Sequence, residues 1–169
     1  MIIMFVRHAD AVNDEITDLG YKELEILKEY KENLKFSKVY TSSASRCRVT
    51  ADCLVKKLDL PLEVCFNLKE RELLREDEPK NAEECDWYDN YLNPNFSSKN
   101  PEGCKDFLER NFEVFDKIVK SHKDKNENII IVAHSGTLYV LLAYIYGYNK
   151  NNNLPWRRVG NCSRIYFEV

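Results

Sequence analysis

The chain has 169 residues, of which 44% are hydrophobic and 31% charged, and its formal net charge is −3. That length fits one domain able to bury a sizeable core, and the composition is that of a soluble globular protein. The charge balance provides no global attraction to nucleic acid or to an anionic membrane, so an anionic ligand would need a local cationic pocket.

No apolar run reaches the ~18–20 residues of a membrane helix. The N-terminal stretch is apolar from its second residue but meets Arg7 and His8 at once, so neither a signal peptide nor an anchor is expected. The six cysteines (Cys47, Cys53, Cys65, Cys85, Cys104 and Cys162) contain no CxxC pair, and the chain has only three histidines. A zinc site is therefore not expected, and the cysteines read as reduced thiols of a cytoplasmic protein.

Residues 2–7 read as a buried first strand, with Arg7 and then His8 where it must end. Ligands of open α/β sheets collect just beyond the carboxyl ends of strands. On this segment alone, a basic pair that merely caps a strand is at least as good a reading. Thr17 is placed as the N-cap of a helix running to about residue 33. A short second strand follows at residues 38–41, a helix at 43–57 and a third strand at 62–66.

Residues 67–100 break this alternation. They are polar, contain Pro79 and Pro94, and gather Trp87, Tyr88, Tyr91 and Phe96. A long irregular segment in a compact domain is usually functional. A lid or substrate wall is the expected role, with a surface excursion around its own small core as the alternative. The aromatics read equally well as a pocket lining or as simple packing.

A helix is predicted from Cys104 to His122, with Phe107, Leu108, Phe112, Phe115, Ile118 and Val119 as its buried stripe. Residues 128–133 (Asn-Ile-Ile-Ile-Val-Ala) form the strongest strand, apolar throughout as a central parallel strand should be. His134-Ser135-Gly136-Thr137 turns into a helix over 138–146, and a last strand covers 163–169. There is no repeat, low-complexity tract or linker. The expectation is a single α/β domain over residues 1–169, three-layered α/β/α around a mostly parallel central sheet.

His8 and His134 share one setting, each leaving an apolar strand for a loop ahead of a helix. If both strands are central and parallel, both imidazoles reach the same rim. Arg46, less than a turn into the helix after the second strand, can face it too, and backbone N–H groups after His134 offer an anion site. Arg7, His8, Arg46 and His134 would then suit phosphoryl transfer, in which fixed cations and donors stabilise spreading charge. Guanidinium groups bind phosphate in bidentate fashion. A neutral imidazole can attack phosphorus and split one hard step into two, while a carboxylic acid delivers a proton to the leaving oxygen.

These residues resemble the histidine phosphatase superfamily, the phosphoglycerate mutase-like proteins. Phe5-Val6-Arg7-His8-Ala9-Asp10 is similar to the family's V-R-H-G-E opening, and Thr17-x-x-Gly20 to its L-T-x-x-G helix start. Residues 39–51 resemble Y-T-S-P-L-x-R-A-x-Q-T-A, which aligns the phosphate-binding arginine with Arg46. Leu68-Lys69-Glu70-Arg71 resembles the L-x-E-R stretch that supplies the acid. Val132-Ala133-His134-Ser135-Gly136 resembles V-x-H-G-G, and Asn161-Cys162-Ser163 carries a fainter trace. The resemblance implies a phosphoglycerate mutase-like fold and a phosphohistidine on His8. It further implies a phosphoryl group held by Arg7, Arg46 and His134, proton donation by Glu70, and no metal or other cofactor.

The chain also departs from the pattern. Ala9 replaces the usual glycine, which is tolerable if φ there is negative. Ser135 replaces another glycine, and its hydroxyl could add a phosphate contact. Ser43 and Ala44 replace Pro-Leu and Val49 replaces glutamine, changes that touch packing more than chemistry. The family often places a phosphate-contacting asparagine after His8; here the loop is shorter, and Asn13 and Asp14 are both candidates for that contact. Glu72, Glu76, Asp77 and Glu78 lie near Glu70 in an acidic stretch that reads as solvated. Glu102 resembles a family position where an N-terminal dipole role suffices, and His122 is expected at a solvated helix end. Trp156-Arg157-Arg158 reads as a surface loop, with contact to an anionic substrate tail as the alternative.

The expected function is a metal-independent phosphatase acting on a small phosphorylated metabolite or a phosphoprotein, with no nucleic acid or membrane partner. Residues 71–100 would be a variable wall that selects substrate. A mutase must protect its intermediate from water in an enclosing cationic pocket, and this segment holds only Arg71, Arg75, Lys80 and Lys99 against many carboxylates. The alternatives are a protein phosphohistidine phosphatase of the same fold, such a mutase, and a non-catalytic phospho-ligand binding module. Oligomeric state is not set by the sequence.

Overall fold

The structure, a computed structural model, describes residues 1–71, 102–147 and 159–169. Strand β1 spans Ile2–Arg7, followed by a two-residue hairpin of β2 (Ala11–Val12) and β3 (Glu15–Ile16). Helix α1 is Asp18–Glu29, β4 is Lys38–Ser42, α2 is Ser45–Leu58 and β5 is Leu62–Cys65. Helix α3 (Cys104–His122) leads to β6 (Ile129–Ala133), α4 (Ser135–Tyr146) and β7 (Arg164–Glu168). Most of the expected substrate wall, from residue 72 onward, lies outside the described residues. So do Glu72, Glu76, Asp77, Glu78, Trp87, Tyr88, Tyr91, Phe96 and residues 156–158.

Five strands form one sheet in the order β5-β4-β6-β1-β7. The first four run parallel, and β7 pairs antiparallel with β1 at the edge. Side chains alternate across the pleat, which assigns each strand residue to one of two cores. Met4, Val6, Val39, Ile130 and Val132 pack with α1 and α2 on one face. Ile3, Phe5, Tyr40, Ile129 and Ile131 pack with α3 and α4 on the other. Burial on both faces is why β1 and β6 are apolar at nearly every position rather than at alternate ones. This is the expected α/β/α architecture with a mostly parallel central sheet.

Because β6 lies between β1 and β4, their carboxyl ends stand side by side. Arg7 is level with Ala133, and Thr41 with Val132. His8, the start of α2 and His134 therefore leave the sheet at one rim.

Several boundaries differ from the sequence reading. Helix α1 stops at Glu29 rather than residue 33, because Tyr30 is extended and Lys57 of α2 donates to the Leu27 and Tyr30 carbonyl oxygens. Helix α4 begins at Ser135 rather than 138, with His134 as its N-cap and Leu138 N–H donating to the His134 carbonyl. His122 is not at a solvated helix end. Its ring is buried, with Nε2 2.7 Å from the Tyr40 hydroxyl and Nδ1 2.7 Å from the Glu127 carboxylate.

The Thr17-x-x-Gly20 segment works as expected, since the Thr17 hydroxyl accepts from Gly20 N–H. Gly20 has a second reason to be glycine: a Cβ there would lie 2.2 Å from the Asp10 carbonyl oxygen. Helix α1 thus presses directly on the loop that follows His8. Gly20→Ala is expected to lower stability by at least about 2 kcal/mol, the scale of core overpacking. Urea unfolding of the variant measures this, and an unchanged midpoint would mean that the contact is not tight.

Candidate active site

His8 leaves β1 with its backbone N–H bonded to the Ala133 carbonyl of β6, 3.0 Å away. Its Nδ1 lies 2.7 Å from the Ala9 carbonyl oxygen. A carbonyl only accepts, so Nδ1 carries the ring proton and Nε2 carries the lone pair. Ala9 is fully buried, φ at Ala9 is not positive, and its N–H donates to the Thr50 hydroxyl. A methyl group in place of glycine is accommodated there, as expected.

Arg46 is the second residue of α2. Its Nε donates to His8 Nε2 at 3.2 Å, and its Nη2 donates to His134 Nδ1, also at 3.2 Å. One guanidinium edge therefore spans both imidazoles, whose centroids are 5.2 Å apart. His134 is almost wholly buried, and its Nε2 lies 2.9 Å from the Ser42 hydroxyl. Since Nδ1 accepts from Arg46, the network puts the His134 proton on Nε2, facing Ser42 and, at 3.5 Å, the buried Cys47 sulfur.

Both rings are neutral. Burial, reinforced by the charges of Arg46 and Arg7, lowers the His8 pKa to about 4 despite the opposing hydrogen bond to Ala9. Burial and the same two guanidiniums, together with His8 and Arg110, push His134 well below the ordinary histidine range. A proton on either ring would set two cations ~4 Å apart, which costs about 4 kcal/mol at an effective dielectric constant of ~20. Neutral imidazoles beside permanent cations are the stable arrangement.

Arg7 stands at the end of β1. Its backbone N–H donates to the Ser163 carbonyl, and its Nη1 donates to the Val159 carbonyl. Its charge reaches both histidines, as their lowered pKa values show.

Glu70 arrives from the segment after β5. Its Oε2 accepts from Gly136 N–H at 3.0 Å, two residues beyond His134. That helix start, read from sequence as free for an anion, already receives a carboxylate. Arg110 of α3 shapes this approach by donating to the Asn67, Lys69 and Glu70 carbonyl oxygens. Arg110 is also ion-paired to Glu102, whose carboxylate thus serves Arg110 while Gly103 caps α3. Nothing in the sequence pattern singles out Arg110, because its partners are carbonyls brought near by the fold.

Asn13 and Asp14 occupy the two turn positions of the β2–β3 hairpin, with φ of 50° and 70°. Positive φ at both positions is the signature of a tight primed turn, and Asn and Asp tolerate it best among residues with a Cβ. Asn13 is exposed, whereas Asp14 turns inward and bonds Arg46. Ser135 is half-buried at the first position of α4, beside His134.

The structure thus gathers His8, Arg46 and His134 in direct contact, with Arg7 and Glu70 close around them. The sequence profile of the Histidine phosphatase superfamily (branch 1) matches residues 3–169. The chain belongs to the histidine phosphatase superfamily. No curated relative matches it. Among solved structures, Bacillus stearothermophilus YhfR superposes with a TM-score of 0.78 at 19% identity, covering 99% of this chain and 91% of that one. A mycobacterial glucosyl-3-phosphoglycerate phosphatase complexed with VO3 gives 0.75 at 18% identity, covering 98% and 90%. An alpha-ribazole phosphatase from Shigella flexneri gives 0.74 at 20% identity, covering 100% and 91%. These solved structures share the fold over nearly the whole chain.

The electrostatics lead to a measurable outcome. In an NMR titration of the imidazole Cε1–H signals, His8 should show a midpoint near pH 4, with no ionisation between pH 5 and 8. A midpoint above 6 would contradict the neutral pair. The unfolded chain binds this proton near the ordinary value of ~6.5, so His8 also removes stability as pH falls from there toward 4.

Proposed function

We propose that the protein is a metal-independent phosphatase that hydrolyses a phosphomonoester through a phosphohistidine on His8. One observation carries this reading: a single guanidinium edge, that of Arg46, lies across the lone pairs of two neutral imidazoles. A phosphoryl group entering there meets a nucleophile and a bidentate cation together.

In the first step the His8 Nε2 lone pair attacks phosphorus, and the bond from phosphorus to the ester oxygen breaks. The leaving oxygen takes a proton from Glu70. Arg46 turns its donors from the rings to the phosphoryl oxygens, where the charge of Arg7 also acts. His134 is proposed to hold the phosphoryl group as its Nδ1–H tautomer: Nε2 gives its proton to water, Nδ1 takes one up from water, and the Ser42 hydroxyl then donates to Nε2. In the second step water attacks phosphorus, the P–N bond breaks, and Glu70 takes up a proton from the water. Inorganic phosphate leaves and His8 is neutral again. Asn13 and Ser135 are proposed as additional phosphate contacts.

The glucosyl-3-phosphoglycerate and alpha-ribazole phosphatases among the relatives support a small phosphorylated metabolite as substrate. The residues are read as one domain, with about 71–100 as the segment that selects that substrate. Among the described residues no helix is long and apolar enough to cross a membrane, and the five described cysteines are free thiols. The cytoplasm is the proposed place of action.

A screen of phosphorylated metabolites and p-nitrophenyl phosphate in EDTA tests the mechanism. His8→Ala should abolish turnover and the acid-labile phosphoenzyme. Glu70→Gln should slow alkyl phosphates by roughly 10²–10⁴-fold, the usual contribution of a general acid, and p-nitrophenyl phosphate far less. Turnover retained in His8→Ala would reject the covalent route. Equal losses on good and poor leaving groups would remove Glu70 from the acid role.

A further inference from the structure

Asp14 is a carboxylate placed where an anionic substrate would not welcome one, yet its geometry gives it a use. Oδ1 accepts from Arg46 Nη1 at 2.8 Å and from the Arg46 backbone N–H at 3.1 Å. Oδ2 accepts from Ser45 N–H at 2.8 Å. Three donors at the start of α2 thus converge on one side chain. The Ser45 and Arg46 N–H groups of that first turn need partners, since Ala44 at the N-cap supplies no side-chain bond.

The guanidinium presents two different edges. Nε and Nη2 point at His8 and His134, while Nη1 points away from them at Asp14. An arginine side chain carries large rotamer freedom, and holding it in one orientation costs free energy. Asp14 binds the end of the fork that faces away from the imidazoles. The carboxylate stays ionised: burial raises its pKa, but the Ser45 and Arg46 N–H groups and the Arg46 charge outweigh burial and bring it below the ordinary aspartate value.

We propose that Asp14 is a positioning residue, which anchors Arg46 from behind so that its Nε–Nη2 edge faces the phosphoryl group held between His8 and His134. The β2–β3 hairpin, with its two left-handed turn residues, is the device that delivers this carboxylate to α2. This inference rests on the reading of Arg46 as the phosphate-binding cation.

The test is a double-mutant cycle read by orthovanadate binding, with Asp14→Ala, Asp14→Asn, Arg46→Ala and the Asp14→Ala/Arg46→Ala pair. Asp14→Ala should weaken binding roughly tenfold, the scale of one charge-assisted hydrogen bond. Asp14→Asn retains an acceptor for Arg46 and should recover part of the loss. In the Arg46→Ala background, Asp14→Ala should have no further effect. An equal loss in both backgrounds would show a purely structural role and overturn the proposal, as would no loss at all. Tighter binding in Asp14→Ala would show instead that the carboxylate competes with the oxyanion. If Arg46→Ala itself leaves vanadate binding intact, the assignment of Arg46 to phosphate fails first and takes this one with it.

Discussion

The arrangement depends on a hydrogen-bond constraint at Arg46. A guanidinium can only donate, so its contacts to two histidine nitrogens require that both rings offer lone pairs. Permanent positive charge sits on arginine, and nucleophilic capacity sits on imidazole. Burial and the neighbouring cations enforce this division, because both penalise a proton on either ring. If a single histidine had to supply both charge and lone pair, one role would be lost at any given pH.

That contact needs three chain segments to end at one rim, which the strand order provides. With β6 between β1 and β4, the residues after each strand are neighbours although they lie 38 and 88 positions apart in sequence. Short bonds then lock the loops. His8 N–H is tied to Ala133, Ala9 N–H to the Thr50 hydroxyl, and that hydroxyl in turn to the Arg46 carbonyl. The loop after β1 and the first turns of α2 are thereby one hydrogen-bonded unit, against which α1 is pressed at Gly20. A long, flexible arginine can be placed to within a hydrogen-bond length only because the backbone on both sides of the pocket is fixed.

Much of this is legible in the sequence. The apolar runs at 2–6 and 129–133 identify central parallel strands because burial on both faces leaves no polar positions within them. His8, Arg46 and His134 stand out because each directly follows or nearly follows a strand. Features that depend on tertiary neighbours were hidden. His122 lies among lysines in sequence, so it reads as solvated, yet Tyr40 from β4 and Glu127 from the next turn enclose it. The end of α1 is set by Lys57 from another helix, which no local pattern announces. Asp14 reaches Arg46 from the second position of a two-residue hairpin turn, a matter of turn geometry that composition does not announce. Ser42 and Arg110 act through a ring nitrogen and a row of carbonyls, and neither interaction leaves a spacing signature.

The position of Glu70 links the two halves of the proposed reaction. Its carboxylate is bonded to the first turn of α4, and the residue that caps this same turn is His134. Any shift of α4 along its axis would move the acid and the second histidine together, so their separation is set by one short piece of backbone. The path of the chain into Glu70 is held by Arg110, whose Nη1 donates to the carbonyls of residues 67 and 69 and whose Nη2 donates to that of residue 70. Arg110 is itself oriented by Glu102, at the base of α3, and α3 is packed on the sheet through Phe107 and Phe115. A carboxylate that arrives on an irregular segment is thereby tied to α3 and α4, both packed on the sheet.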